Sequence, residues 1–125
     1  MKFALIQMNP TVGAVAENAA KIVRRAREAA AAGAGVAVFP EQALCGYPPD
    51  DLVLRPSFMD AVEAEAGKLA AALPAEMLVL VGAPLRADGR LYNAALLFHG
   101  GRRVAAARKM LLPNYGVFDE RRIFA

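Results

Sequence analysis

The sequence predicts an α/β fold with strands sandwiched between layers of helix. Two short runs are apolar at nearly every position, Met1 to Met8 ("MKFALIQM") and Val36 to Phe39, which suits strands buried on both faces. Between them, Ala16 to Ala32 is alanine-rich and carries its charge largely on one side. Strand, helix, strand in that order is a βαβ unit.

Each element follows from local chemistry. "NPTVG" punctuates the first strand. In the first helix Ile22, Ala26, Ala29 and Ala30 share one face, with Lys21, Arg24, Arg25 and Glu28 largely opposite; Gly33 and Gly35 end it. After Phe39 the chain is broken by Pro40, Pro48, Pro49 and Pro56. Ser57 then reads as the start of a second helix with Asp60 in capping-box position and a core stripe of Phe58, Val62, Ala66, Leu69 and Leu73. A third strand is expected over Met77 to Pro84. "RLYNAALLFHGGRRVAAARK" reads as two strands joined at His99-Gly100-Gly101. Pro113, Asn114 and Gly116 make the closing stretch loop-like. The end, Arg-Arg-Ile-Phe-Ala, has no helix cap or polar tail, as expected of the first part of a longer domain.

Composition narrows the function classes. With 57% hydrophobic and 22% charged residues, the chain reads as one soluble domain or part of one. The net charge is a modest +3, and the arginines form short clusters at 24–27, 102–103 and 121–122, which fall in separate elements and lack interleaved stacking aromatics. They read as solvated faces, so no nucleic-acid partner is expected. A single cysteine excludes an internal disulfide, and no Cys/His spacing suggests zinc. No apolar run reaches the roughly 18 residues of a membrane span. A cytoplasmic setting is the expectation. Gly33-Ala34-Gly35 follows a helix rather than a strand, so it is no dinucleotide turn.

Chemistry concentrates in "FPEQALCGYPPDDL", Phe39 to Leu52. Glu41 comes just past the C-terminal end of a strand, where open α/β sheets hold their reactive groups, although an ordinary loop acid often stands there too. Lys109 closes the fifth strand, and Glu120 sits in "VFDE"; by position alone each also suits a solvated surface charge. Cys45 invites a thiol-hydrolase reading, but no histidine flanks it, and His99 belongs to a hairpin tip. An extended loop would hold the Glu41 and Cys45 α-carbons about 13 Å apart. Cys45 reads as a packing residue.

"FPEQALCGYPPDDL" and "RKMLLPNYGVFDERRIF" together resemble the amidase domain of the nitrilase (carbon-nitrogen hydrolase) superfamily, and "ALIQMNPTVGAVAENAAKI" is similar to that family's first strand and helix. "GYPPDDL" and "LPNYGVFDE" point, within it, to the glutamine-hydrolysing branch found in glutamine-dependent NAD synthetases. The resemblance runs along essentially the whole chain. It implies an αββα sandwich, of which this is the first part, and a Glu, Lys, Cys catalytic set. By match, Glu41 resembles the general base, Lys109 the cation supporting the tetrahedral oxyanion, and Glu120 a second acid that orients the site. Tyr47 and Tyr115 fall where the family lines its glutamine pocket and ammonia exit. The family's nucleophilic cysteine lies further along than this sequence runs, and Cys45 is not in its position, so the chain alone is expected to be inactive.

The resemblance implies L-glutamine as substrate. Ammonia would pass to a synthetase domain that amidates nicotinic acid adenine dinucleotide with ATP and Mg2+; no cofactor is implied for this segment, and homo-oligomers are. The chemistry makes sense physically: a buried carboxylate whose pKa is raised by desolvation can take a thiol proton without histidine. A nearby lysine then offers positive charge where the oxyanion develops. Ala14 replaces a polar residue common before the first helix, weakening that cap by about 1 kcal/mol, and Ile123 replaces a more usual aromatic. The alternatives are another nitrilase-type amidase or carbamoylase, and a non-catalytic remnant serving as an interaction module.

Overall fold

The computed structural model describes residues 1–110, 112 and 120–125, with Glu120 and Arg121 described by backbone only. Five strands form one sheet in chain order: β1 (Phe3–Leu5), β2 (Val36–Val38), β3 (Leu78–Ala87), β4 (Arg90–His99) and β5 (Arg102–Arg108). The first three run parallel and the last two pairings are antiparallel. Helix α1 (Val15–Ala31) joins β1 to β2, and α2 (Pro56–Ala72) precedes β3 after a 3-10 turn at Asp50–Leu54. A short α3 (Glu120–Ile123) follows.

Alternation along the strands separates two faces. Ala37, Val79, Val81, Ala83, Ala94, Leu96 and Phe98 point to one side and form a single core with Ile22, Ala26 and Ala29 of α1 and Val62 and Leu69 of α2. Both long helices therefore lie on the same face. The other face carries Phe3, Leu5, Val38, Leu80, Ala95, Leu97 and Ala107, and no helix covers it among the described residues. The expected α/β fold is present; only the placement of helices on both faces of this sheet is corrected, because among the described residues the two long helices lie on one face.

The first strand is corrected as well. It spans Phe3–Leu5 rather than Met1 to Met8, and Phe3 and Leu5 are 62% and 79% exposed instead of buried. The reason is position: β1 is the edge of the sheet, and its outer side chains lie on the uncovered face.

The first helix matches its expectation closely. Ala14 stands at its N-cap with no side-chain hydrogen bond, and Gly33, at φ 89°, ends it in the left-handed conformation that glycine adopts without a Cβ penalty. The second helix differs at its start. It opens on Pro56 and has no side-chain cap, so the Ser57–Asp60 capping box does not form. Asp60 instead joins Glu63 in holding Arg86 of β3, at 2.7 and 2.9 Å, which docks the exposed side of α2 on the sheet.

β3 runs through Pro84 to Ala87 and turns at Asp88-Gly89, both at positive φ, into β4. Proline is tolerated there because β2 pairs with β3 only as far as Leu80, so that flank of β3 faces no strand. Gly100 and Gly101, also at positive φ, close the expected hairpin between β4 and β5. Register slips once: Leu97 pairs with Ala105 but Phe98 with Arg103, a bulge that leaves Val104 as the extra residue. No helix among the described residues is long and apolar enough to cross a membrane.

Candidate active site

The turn after β2 carries the acid over the sheet. Phe39 N–H donates to Leu80 O at 2.9 Å, extending the ladder by one residue, and Pro40 then redirects the chain. The turn is closed by Gly46 N–H to Gln42 O at 2.7 Å and tied to β3 by Leu44 N–H to Gly82 O at 3.1 Å. It rests directly on Gly82. A Cβ there would meet the Pro40 carbonyl oxygen, the Gln42 nitrogen and Glu41 Cα, all at 2.8 Å or closer, so glycine is required for the approach. Gln42 adopts φ 53°, a conformation that costs a non-glycine residue about 1–2 kcal/mol.

Asn18 of α1 braces the turn from behind. It is fully buried, its Oδ1 accepts from Thr11 N–H at 2.9 Å, and its Nδ2 donates to Thr11 O at 2.8 Å and Leu44 O at 3.2 Å. One amide side chain thus fastens both the 9–13 loop and the acid-bearing turn to the first helix.

From this turn Glu41 reaches β4 and β5. Lys109 Nζ donates to Glu41 Oε1 at 2.8 Å, and Asn93 Nδ2 donates to the same oxygen at 2.6 Å. Both donors converge on Oε1; among the described residues Oε2 accepts no hydrogen bond. Lys109 is aligned by its own main chain, whose N–H donates to Asn93 O at 2.7 Å. Asn93 therefore holds the acid with its side chain and the cation with its backbone. The Glu41 and Lys109 side chains are 46% and 31% exposed, so the expectation of a buried carboxylate is corrected. The uncovered sheet face leaves this carboxylate open on one side.

An apolar hollow of about 340 Å³ adjoins the pair. Val38, Leu80, Gly82, Ala95 and Ala107 line it along the uncovered face, and Glu41, Asn93 and Lys109 supply its polar end. Small side chains at 82, 95 and 107 make the space. An acid, a cation and an amide converging on a shallow apolar hollow can orient a small polar substrate and move a proton at Glu41 Oε2.

Cys45 is no part of that reaction surface. It is fully buried, its thiol donates to Gln42 Oε1 at 2.9 Å, and burial pushes its pKa up to about 12. A thiol held protonated and out of contact with solvent is a poor nucleophile. Tyr47 is half-buried past Gly46 and is not among the residues that line the hollow. Glu120 begins α3 by its backbone, and its side chain lies outside the described residues, as does Tyr115. Among the described residues no three His, Cys, Asp or Glu side chains converge to hold a metal ion.

Asn93 and Gln42 were missed in the sequence reading. Asn93 had a legible signal: it is a polar residue inside "LYNAALLF", in register with Ala95 and Leu97, and buried polar groups in strands seldom stand without a partner. Gln42 offered none, because its burial depends on the turn geometry.

Residues 2–125 match the model of the carbon-nitrogen hydrolase family. The chain belongs to this family. As a carbon-nitrogen hydrolase chain it is 47% identical, over 129 residues, to the glutamine-dependent NAD(+) synthetase of Synechocystis sp., covering 98% of this chain and 23% of that protein. The structure of glutamine-dependent NAD+ synthetase from Acinetobacter baumannii superposes with a TM-score of 0.93 at 32% identity, over 98% of this chain and 23% of that one. An amidase from Nesterenkonia sp. superposes at 0.79 with 22% identity, over 98% of this chain and 46% of the amidase, and shares the fold alone. The carbon-nitrogen hydrolase chain described here thus spans about 23% of the length of the synthetases it matches.

Proposed function

We propose that the chain is the first part of the glutamine-hydrolysing unit of a glutamine-dependent NAD synthetase, with Glu41 as general base and Lys109 as the supporting cation. The observation that carries this reading is the 2.8 Å contact between Lys109 Nζ and Glu41 Oε1 at the polar end of the apolar hollow. Similarity to the Synechocystis synthetase along 98% of the chain supports the choice of reaction.

On this reading the nucleophile is a cysteine other than Cys45, supplied by the rest of the enzyme. Glu41 Oε2 takes the thiol proton, and the thiolate attacks the glutamine side-chain carbonyl carbon. Lys109 stabilises the tetrahedral oxyanion. Glu41 then returns the proton to the nitrogen as the C–N bond breaks, releasing ammonia and leaving a thioester. Water, deprotonated by Glu41, attacks the thioester; glutamate departs and the thiol is restored. General acid–base catalysis of this kind contributes typically 10²–10⁴-fold.

The ammonia would be consumed by a synthetase portion that amidates nicotinic acid adenine dinucleotide, and ATP and Mg2+ belong to that portion. The described residues of this chain assemble no site for the metal, and no step assigned to them runs through it. Glu120 and Tyr115 are proposed, with Tyr47, to complete the glutamine pocket. The enzyme is read as a cytoplasmic homo-oligomer, and this chain alone as inactive.

The test uses the full-length enzyme. Glu41→Gln and Lys109→Ala should each abolish glutamine-driven NAD synthesis and spare synthesis from free ammonium. Loss of both activities, or of neither, would overturn the assignment.

A further inference from the structure

Behind Glu41 runs a line of hydrogen bonds that the reaction above does not use. The Cys45 thiol donates to Gln42 Oε1 at 2.9 Å, Gln42 Nε2 donates to Asn93 Oδ1 at 2.6 Å, and Asn93 Nδ2 donates to Glu41 Oε1 at 2.6 Å. Cys45 and Gln42 are fully buried and Asn93 is 3% exposed. Buried amides at these distances stay where their partners put them, because an unsatisfied group there carries its full desolvation cost.

The line has a direction. An amide side chain donates at one end and accepts at the other. Reversing Gln42 would set its oxygen against Asn93 Oδ1; Asn93 would then reverse and set its own oxygen against Glu41 Oε1. The Glu41 carboxylate, which only accepts, opposes this at the near end. The thiol favours the same polarity at the far end by offering its proton to Gln42 Oε1 at 2.9 Å, with Gly46 O a longer alternative at 3.5 Å. Burial keeps that proton in place, since it pushes the Cys45 pKa up to about 12. Gln42 meanwhile holds a left-handed backbone conformation directly beside the acid, so its side chain stays in the line at the expense of local strain.

We propose that Gln42 and Cys45, acting through Asn93, are positioning residues for Glu41: they fix which carboxylate oxygen is held and which is left to take the proton. This rests on the reading of Glu41 as the base. Oε1 is committed to the network and to Lys109, and Oε2 faces the reaction. Cys45, which looks like a stray thiol, acts as the terminal donor that matches, at the far end of the line, the polarity the Glu41 carboxylate imposes at the near end.

The experiment measures glutamine hydrolysis by the full-length enzyme, with ammonium-driven synthesis as the control for the synthetase portion and thermal melting as the control for intact folding. Gln42→Leu keeps the volume and removes both amide contacts; kcat should fall about ten- to a hundred-fold, part of the general-base contribution, with KM for glutamine within about two-fold. In the Glu41→Gln background, Gln42→Leu should have no further effect on the residual rate, because a residue acting through Glu41 is silent once the base is gone. Cys45→Ala should lower kcat several-fold, and Cys45→Ser, which keeps a donor, should restore most of it. Wild-type kcat in Gln42→Leu, equal rates for Cys45→Ala and Cys45→Ser, or an additive double variant would overturn the proposal. Should Gln42→Leu fail to fold, the Ala and Ser pair at position 45 decides alone. Full hydrolysis by Glu41→Gln would instead overturn the base reading on which the proposal stands.

Discussion

Glu41 and Lys109 stand 68 positions apart and meet at 2.8 Å because a turn resting on a glycine carries the acid across β3. β2 and β5 are three strand spacings apart, about 14 Å. No side chain bridges that distance unaided, so the turn at 40–46 is what makes the pair possible. A half-exposed ion pair contributes only about 0–1 kcal/mol to folding. Its placement therefore has more consequence for chemistry than for stability.

Glu41→Gln should fold like the wild type. The glutamine oxygen accepts from Asn93 and Lys109 as Oε1 does, so no buried donor is orphaned. The expected outcome is an unfolding midpoint close to wild type together with a loss of glutamine hydrolysis of about 10²–10⁴-fold. Thermal melts beside glutaminase assays check this, and a large drop in melting temperature would count against it.

Gly82→Ala should damage the site without touching a reacting group. The new Cβ meets the backbone of Pro40, Glu41 and Gln42 at 2.8 Å or closer, and backbone cannot give way as a flexible side chain does. Overpacking of this kind costs about 1–3 kcal/mol. Hydrolysis should fall more than ten-fold while ammonium-driven synthesis persists, a separation measured by running both assays on the same preparation.

Asn18→Ala removes the brace between α1 and the acid-bearing turn. It leaves the Thr11 N–H and the Thr11 and Leu44 carbonyls without that partner. A loss of about 1–3 kcal/mol in unfolding free energy is expected. Denaturant titration checks the magnitude, and a change within 0.3 kcal/mol would show that water replaces the amide at no cost.

Cys45 sets an alkaline limit on stability. Its thiol pKa rises from 9.0 to about 12 on folding because burial disfavours the thiolate. The unfolded chain therefore loses this proton first. The stabilisation is fully present below pH 9 and is lost as pH climbs from 9 towards 12, at about 1.4 kcal/mol per pH unit. Cys45→Ser has no thiol to titrate, so the wild-type protein should lose stability relative to it between pH 9 and pH 11. Denaturation midpoints of both proteins at several pH values provide the check; parallel curves would refute it.

Much of this molecule was legible in its sequence. The βαβ opening, the Gly100-Gly101 hairpin and the approach of Glu41 to the end of a strand all follow from periodicity and punctuation. What was not legible depends on neighbours distant in sequence. Phe3 and Leu5 look like buried-strand residues, yet β1 is an edge strand with one uncovered face, which no local pattern reveals. Ser57 and Asp60 have capping-box spacing, but Arg86 competes for the carboxylate from β3. Pro84 looked like the end of a strand because its tolerance depends on how short β2 is. Gln42 looked like one more polar loop residue, because only the fold over Gly82 puts it behind the acid.

The bulge at Leu97–Phe98 gives the hairpin a second meaning. Lys109 reaches Glu41 only if β5 carries one residue more than β4 across that point, because each single-residue slip turns every later side chain to the opposite face. A hairpin zipped without the bulge would aim Lys109 at the helices and pair Asn93 with the wrong residue. The acid meets its cation only in a correctly registered sheet, so an assembled site reports that the strands which build it have paired in register.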